Sequence, residues 1–365
     1  MEKPIITFAR WGNYTIAFKA LFESLGLKVI SPEKTTSETI AEGAKLAPEM
    51  YCFPLKVNLG NYLETIKKGA DTIFMTTALG GSCRLRYYAV VEDKILKDSG
   101  YNVDFVIFDQ NPKDIYSKIK EISGASSWQI LKAVRFFFKK LRLIEKLEKK
   151  AQYLRPREIK KGMTDEFLNE TFLELDKING EKDFASFPKK IFKKISEIKI
   201  DKSQNIPKVG IIGEIYTVSD PAVNSEIERK LGQQGIEVHR EMDLTYHLKK
   251  KFFLKDWFIQ RKINPYLKST VGGHGRDAVY EMLKYIKEGF DGIIHLLPMA
   301  CMPEVTARPI LEKIHQESGI PFLSLSLDEQ VAEAGIDTRL EAFVDVVKNC
   351  HHQKNRIFVK IRGEI

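Results

Sequence analysis

Ile66-Lys67-Lys68-Gly69-Ala70-Asp71 and Ile286-Lys287-Glu288-Gly289-Phe290-Asp291 share the pattern Ile-Lys-x-Gly-x-Asp in the two halves of this 365-residue chain. In each copy a helical pattern stops at glycine and an apolar strand follows, over residues 72–76 and 292–297. Glycine just past a helix end takes the left-handed backbone that closes it. A cysteine comes after each strand, Cys83 and Cys301. Helix, glycine stop and strand are general to α/β folds. The repeated cysteine placement adds an internal duplication to that reading.

Outward from these stretches, apolar runs alternate with helical patterns. In the first half, strands are predicted over 5–9, 28–30 and 103–108, with helices over 15–25, 37–44, 54–68 and 86–99. Pro54 suits the first turn of its helix. In the second half, strands are predicted over 209–212, 236–239 and 322–325, and helices over 224–234, 276–288, 304–317 and 338–349. A helical excursion fills 243–269. This alternation predicts an α/β fold with mostly parallel sheets in both halves. Residues between are rich in Lys, Glu, Leu and Phe and poor in strand signals. The expected domains are therefore 1–111 (α/β), 112–205 (helical connector or insertion) and 206–365 (α/β). The polar tract 201–207, ending in Pro207, marks the second boundary.

A hydrophobic share of 43% and a charged share of 29% are those of a soluble globular protein. No apolar run has transmembrane length. The start reads as a first strand instead of a signal peptide, so a cytoplasmic location is expected and no membrane partner. The net charge is +9. Much of the excess lies in 132–161, where basic residues alternate with apolar ones at helical spacing. An amphipathic helix with a solvated basic face accounts for it. An acidic partner or the phosphates of a CoA-like ligand are the functional alternatives. No nucleic-acid-binding motif is present, so nucleic acid is not an expected partner.

The four cysteines are too widely spaced for a disulfide scaffold and point to metal or catalysis. Cys52 lies in Glu49-Met50-Tyr51-Cys52-Phe53-Pro54, Cys83 follows Gly80-Gly81-Ser82, and Cys301 lies in Pro298-Met299-Ala300-Cys301-Met302-Pro303-Glu304. Each follows an apolar run or its turn and precedes a helical pattern. Ligands of open α/β folds bind beyond the carboxyl ends of the strands. A helix N-terminus also stabilises a thiolate. The three are thus expected to hold a metal cluster. Zinc with a fourth ligand, and plain burial as small hydrophobes, are the competing readings. Cys350, before His351-His352, is an ordinary residue or a fourth ligand brought by chain return.

The motifs Cys52-x-Pro54-x-Lys56, Gly81-x-Cys83-Arg84 and Pro298-x-x-Cys301-Met302-Pro303-Glu304 resemble those of the acyl-CoA dehydratase activase-related (CoA-substrate-specific enzyme activase-like) proteins. These are relatives of the iron–sulfur subunits of 2-hydroxyacyl-CoA dehydratases and of the double-cubane cluster proteins. Gly213-Glu214-Ile215-Tyr216, Gly319-Ile320-Pro321-Phe322-Leu323 and Thr338-Arg339-Leu340-Glu341-Ala342-Phe343 extend the likeness over nearly the whole chain, most weakly in 112–205. The resemblance implies two flavodoxin-like or Rossmann-like parallel-sheet domains with a helical insertion between them. It implies one 4Fe–4S cluster on Cys52, Cys83 and Cys301, with one iron left open. It implies an ATP-dependent iron–sulfur activase as electron donor, a homodimer or a paralogous cluster-bearing subunit, and an acyl-CoA substrate. This chain has no P-loop, so it would be the acceptor of the electron and not the ATP-driven donor. Whether it is itself an enzyme stays open: component of a CoA-thioester dehydratase, component of an ATP-dependent reductase, or non-catalytic electron-transfer or assembly partner.

Around such a cluster, Arg84, Arg86 and Lys56 would offset negative charge and tune the potential. Surface ion pairing is the plainer role for the arginines. Glu214 and Glu304 are the acid/base candidates. His274, in a glycine-rich turn before a helix, is the candidate for substrate or phosphate. His295, inside an apolar strand, reads as a hydrogen-bonded core histidine.

Overall fold

The computed structural model describes residues 3–77, 83–252, 256–269, 271–330 and 333–363. Strand β1 is Ile5–Phe8, helix α1 Thr15–Ser24 and strand β2 Lys28–Val29. Helices α2 (Ser37–Leu46) and α3 (Phe53–Lys67) lead to β3 (Thr72–Thr77), and α4 (Leu85–Asp98) leads to β4 (Asp104–Asp109). Four helices follow: α5 (Pro112–Ser123), α6 (Ser127–Leu154), α7 (Met163–Asp176) and α8 (Glu181–Ser196). Next come β5 (Lys208–Gly213), α9 (Ile215–Ser219), α10 (Ile227–Gln233) and β6 (Glu237–Arg240). Helices α11 (Leu244–Phe252), α12 (Asp256–Ile263) and α13 (Gly275–Lys287) precede β7 (Gly292–Pro298). The chain continues through α14 (Met302–Ser318), β8 (Phe322–Leu327) and α15 (Glu333–Gly363).

The strands form two all-parallel sheets, β2-β1-β3-β4 and β6-β5-β7-β8. The expectation of two parallel-sheet α/β folds is met. Both sheets have the same order, in which the third strand lies on the opposite side of the first from the second. The strand order therefore reverses between β1 and β3 and between β5 and β7. Such reversals open a crevice beyond the strand ends. Cys83 follows β3, and Cys301 follows β7. Gly69 and Gly289, the glycines of the repeated pattern, have φ of 99° and 77°, the left-handed turn that ends α3 and α13 before those strands.

Contacts divide the chain into two compact units. The first comprises Met1–Leu147, Phe167–Glu197 and Pro298–Met302; the second comprises Glu148–Glu166, Ile198–Leu297 and Pro303–Ile365. In the first, Ile6, Ile73, Phe22, Leu55, Leu59 and Tyr62 are buried about the sheet. Phe22 packs edge-on against Phe74, with ring centroids 4.9 Å apart. In the second, Ile212, Ile293, Met282, Tyr285, Leu311 and Ile314 share one core with Ile259 and Ile263 of α12. Each such side chain contributes roughly 1.5–3 kcal/mol on leaving water.

Three expectations differ from the structure. The last helix, expected over 338–349, runs over Glu333–Gly363. The helix expected over 224–234 starts only at Ile227, because Ser225 and Glu226 have φ of 57° and 56° and interrupt it. Helix α9 was not expected; five residues are too few for a helical period to register.

Candidate functional site

Cys52 is the N-cap of α3, with extended backbone, and Pro54 occupies the first turn. Its thiol is buried. Cys83 stands two residues before α4, whose N-cap is Arg84, and is half-buried. Cys301 directly precedes α14 and is buried. Each cysteine thus meets a helix start, where unsatisfied N–H groups favour a thiolate. Gly80, Gly81 and Ser82, which complete the Cys83 motif, lie outside the described residues.

Two contacts connect these helix starts. Tyr88, in the first turn of α4, has its Oη 2.5 Å from Cys52 Sγ. The Phe53 N–H donates to Met299 O at 3.2 Å, so the residue after Cys52 is bonded to the turn that carries Cys301. That turn is closed by the Cys301 N–H donating to Pro298 O at 3.0 Å. It passes through Ala300 at φ 61°. A left-handed alanine costs roughly 1–2 kcal/mol and persists only where its surroundings hold it. By these contacts all three cysteines belong to the first unit, although Cys301 follows a strand of the second.

Three thiols are soft donors, suited to iron–sulfur clusters or zinc and not to magnesium or calcium. In donor chemistry the set fits a thiolate-bound cluster. Among the described residues, however, no three Cys, His, Asp or Glu side chains are grouped so as to hold a metal ion. The thiols lie in one unit without forming such a group. Arg84 and Arg86 lie against aromatic rings, 5.8 Å from the Tyr51 centroid and 5.9 Å from that of Tyr87. Lys56 is buried in the first turn of α3.

Behind Cys52 sits a polar pair that the sequence did not reveal. Asn58 of α3 donates its Nδ2–H to Glu92 Oε1 of α4 at 3.3 Å, and both side chains are buried. Loss of hydration pushes the Glu92 carboxyl up to about 8, opposed only by the Asn58 hydrogen bond. The one available signal was a glutamate four residues after a tyrosine on an otherwise amphipathic helix.

The second unit holds the other expected site residues. Glu214 is the N-cap of α9: its Oε1 accepts from the Tyr216 N–H at 3.0 Å, and its Oε2 accepts from the Thr217 N–H and hydroxyl, each at 2.9 Å. Burial raises its carboxyl above the usual range, and those hydrogen bonds oppose the rise. Glu304, in the first turn of α14, is fully buried with His295, whose Nε2 is 2.9 Å from Glu304 Oε2. His295 Nδ1 is 3.1 Å from Ser324 Oγ. His295 is therefore the hydrogen-bonded core histidine that was expected. Glu304 Oε1 is buried without a hydrogen-bond partner among the described residues. His274 is the N-cap of α13, and its Nε2 is 3.1 Å from His247 Nδ1. Burial, then the nearby Lys250 charge, drives the His274 imidazole down to about 3, so it is neutral. Lys250 pairs with Asp277 one turn into the same helix. Cys350 is half-buried on α15 in the second unit, beside His351, whose Nδ1 is 3.0 Å from Asp291 Oδ2. No described helix is long and apolar enough to cross a membrane.

Residues 10–243 match a protein family described as the CoA enzyme activase uncharacterised domain (DUF2229). Residues 262–347 match the family described as 2-hydroxyglutaryl-CoA dehydratase, D-component. No curated protein matches the chain.

Proposed function

The chain belongs to the CoA enzyme activase family, and from that premise we propose that it is an iron–sulfur component working with acyl-CoA dehydratase or reductase chemistry. Cys52, Cys83 and Cys301 hold one 4Fe–4S cluster. The observation that carries this reading is that the three helix-start thiols fall in one compact unit, with Tyr88 of α4 on Cys52 and the Met299 carbonyl on the Phe53 N–H. Held by Cys52, Cys83 and Cys301, such a cluster would supply low-potential one-electron transfer.

The chain's own residues have defined tasks in this reading. The helix starts at α3, α4 and α14 keep the thiols deprotonated. Arg84, Arg86 and Lys56 offset the negative charge. In the second unit, Ser324 orients His295, and His295 holds Glu304 Oε2. Glu304 Oε1, buried without a hydrogen-bond partner among the described residues, makes Glu304 the acid/base candidate of this unit. Glu214 spends both oxygens on its cap, so Glu304 is the better placed acid/base group. His274, neutral at the start of α13, offers a hydrogen bond to a thioester or phosphate oxygen. The partners are an ATP-dependent iron–sulfur activase as electron donor and a second cluster-bearing subunit, either a copy of this chain or a paralogue. The substrate is an acyl-CoA, and the setting is cytoplasmic.

Anaerobic reconstitution with iron and sulfide tests the proposal. About four irons per chain, with visible absorption lost when Cys52, Cys83 or Cys301 is changed to Ala, supports it. Stoichiometric zinc without visible absorption sinks it in favour of a zinc-stabilised binding protein. Turnover of an acyl-CoA in the presence of an activase separates a catalytic component from an electron-transfer or assembly partner.

A further inference from the structure

Helices α3 and α4 start at two of the three cysteines, Cys52 and Cys83, and one buried polar pair joins them: Asn58 and Glu92. The pair is incomplete as a carboxylate and an amide. Asn58 Nδ2 donates to Glu92 Oε1, yet Asn58 Oδ1 and Glu92 Oε2 are both buried acceptors without a partner among the described residues. Two orphaned acceptors on the two members of one buried pair are costly. A single proton resolves both, because a carboxylic acid donates where a carboxylate cannot. With Oε2 protonated, Glu92 accepts from the amide through one oxygen and donates to it through the other.

We infer that Glu92 is a positioning residue of the cysteine site: it carries a proton at neutral pH and, as an acid–amide pair with Asn58, sets α4 against α3 and so Cys83 against Cys52. The inference rests on the reading of these cysteines as one site. Tyr88 extends the arrangement, since it lies one helical turn before Glu92 and its hydroxyl meets Cys52 Sγ.

The surroundings leave the proton nowhere better to go. Titratable groups on the elements packed against α4 are Lys56, Tyr62, Glu64 and Lys67 on α3, and Asp104 and Asp109 at the ends of β4; β3 carries none. On α4 itself, Asp93 and Lys94 are nearest in sequence, and Tyr88 lies one turn before. Burial is the first influence on the Glu92 carboxyl and the Asn58 amide the second, with no neighbouring charge contributing. Above the pH at which the proton leaves, one of the two hydrogen bonds is lost and an uncompensated charge stands between the helices.

The test compares wild type with Glu92→Gln, which keeps both hydrogen bonds and cannot titrate. First, the thermal midpoint of iron-free protein is followed from pH 6 to pH 9. The midpoint of wild type is expected to fall with rising pH relative to that of the variant. Second, the infrared band of a protonated carboxyl is followed in wild type. A component titrating near pH 8 is expected in wild type at pH 7 and missing from the variant, while the Glu281 carboxyl, pushed well up by burial, absorbs in both. Third, absorbance of the reconstituted protein is expected to persist to higher pH in the variant. Parallel midpoint profiles, or no carboxyl component titrating near pH 8 in wild type, overturn the inference, and that pH-dependent component answers even if the variant does not fold. If the iron-free comparisons succeed while no iron is bound, the acid–amide pair stands and the cluster reading fails.

Discussion

Alanine at Gly60 is expected to loosen the helix that begins at Cys52. Gly60 of α3 and Gly43 of α2 face each other's backbones. A Cβ on Gly60 would overlap Thr39 O and lie 2.8 Å from Thr39 C, and one on Gly43 would overlap Lys56 O and lie 2.5 Å from Gly60 N. Ordinary contact begins at 3.4 Å. The obstacles are main-chain atoms, so no rotamer change relieves them, and the helices must part by about 1 Å. Overpacking of this kind costs about 3 kcal/mol, while replacing glycine by alanine inside a helix returns about 1 kcal/mol. Each single variant should therefore lose ~2 kcal/mol, read by denaturant unfolding at constant m. The two methyls act on one interface. Once one has parted the helices, the other adds little, and the double variant should lose only about 2–3 kcal/mol instead of the sum. Gly335→Ala, where a Cβ meets nothing within 4 Å, should by contrast stabilise by about 1 kcal/mol. Stabilisation by Gly60→Ala, or strictly additive losses in the double variant, would refute the close-approach argument. Iron loading should fall with stability in Gly60→Ala, because Lys56, whose carbonyl Gly43 faces, lies one turn from Cys52.

Further outcomes follow from other buried groups. Lys140 is buried, donates to Leu175 O at 2.9 Å, and is pushed down to about 8 chiefly by burial. In the folded state it resists its charge, so the cost is full below pH 8 and fades as pH rises to the ordinary 10.5 of the unfolded chain. Lys140→Met should thus be stabilised relative to wild type by up to about 3 kcal/mol below pH 8, with the difference shrinking towards pH 10.5 in paired unfolding curves. Glu304→Ala leaves His295 Nε2 buried without its partner and should cost about 1–3 kcal/mol, whereas Glu304→Gln, which can still accept a hydrogen bond, should cost less; equal losses would refute the pairing. Tyr88→Phe removes the hydroxyl at Cys52 Sγ and should speed alkylation of Cys52 in iron-free protein without changing that of Cys350, measured by mass spectrometry of the labelled peptides.

The sequence by itself determined the strands, most helices and the cysteine settings. Those features are local: β-branched runs fix β3 and β7, Gly69 and Gly289 stop the helices before them, and Pro54 starts α3. Local chemistry also placed each cysteine at a helix start, and the family motifs around them were legible as strings. What no window of sequence contained was which distant atoms meet. The tertiary structure alone put the Met299–Cys301 turn on Phe53 and drew Cys301 into the unit of Cys52 and Cys83. It also joined Tyr88 to Cys52, Asn58 to Glu92, and His295 to Glu304. These pairs depend on how helices cross and how far their backbones approach, as at Gly43 and Gly60. A glutamate in a helical pattern reads the same whether it faces water or a buried amide. Only packing removes the water and, with it, the reason for Glu92 to give up its proton.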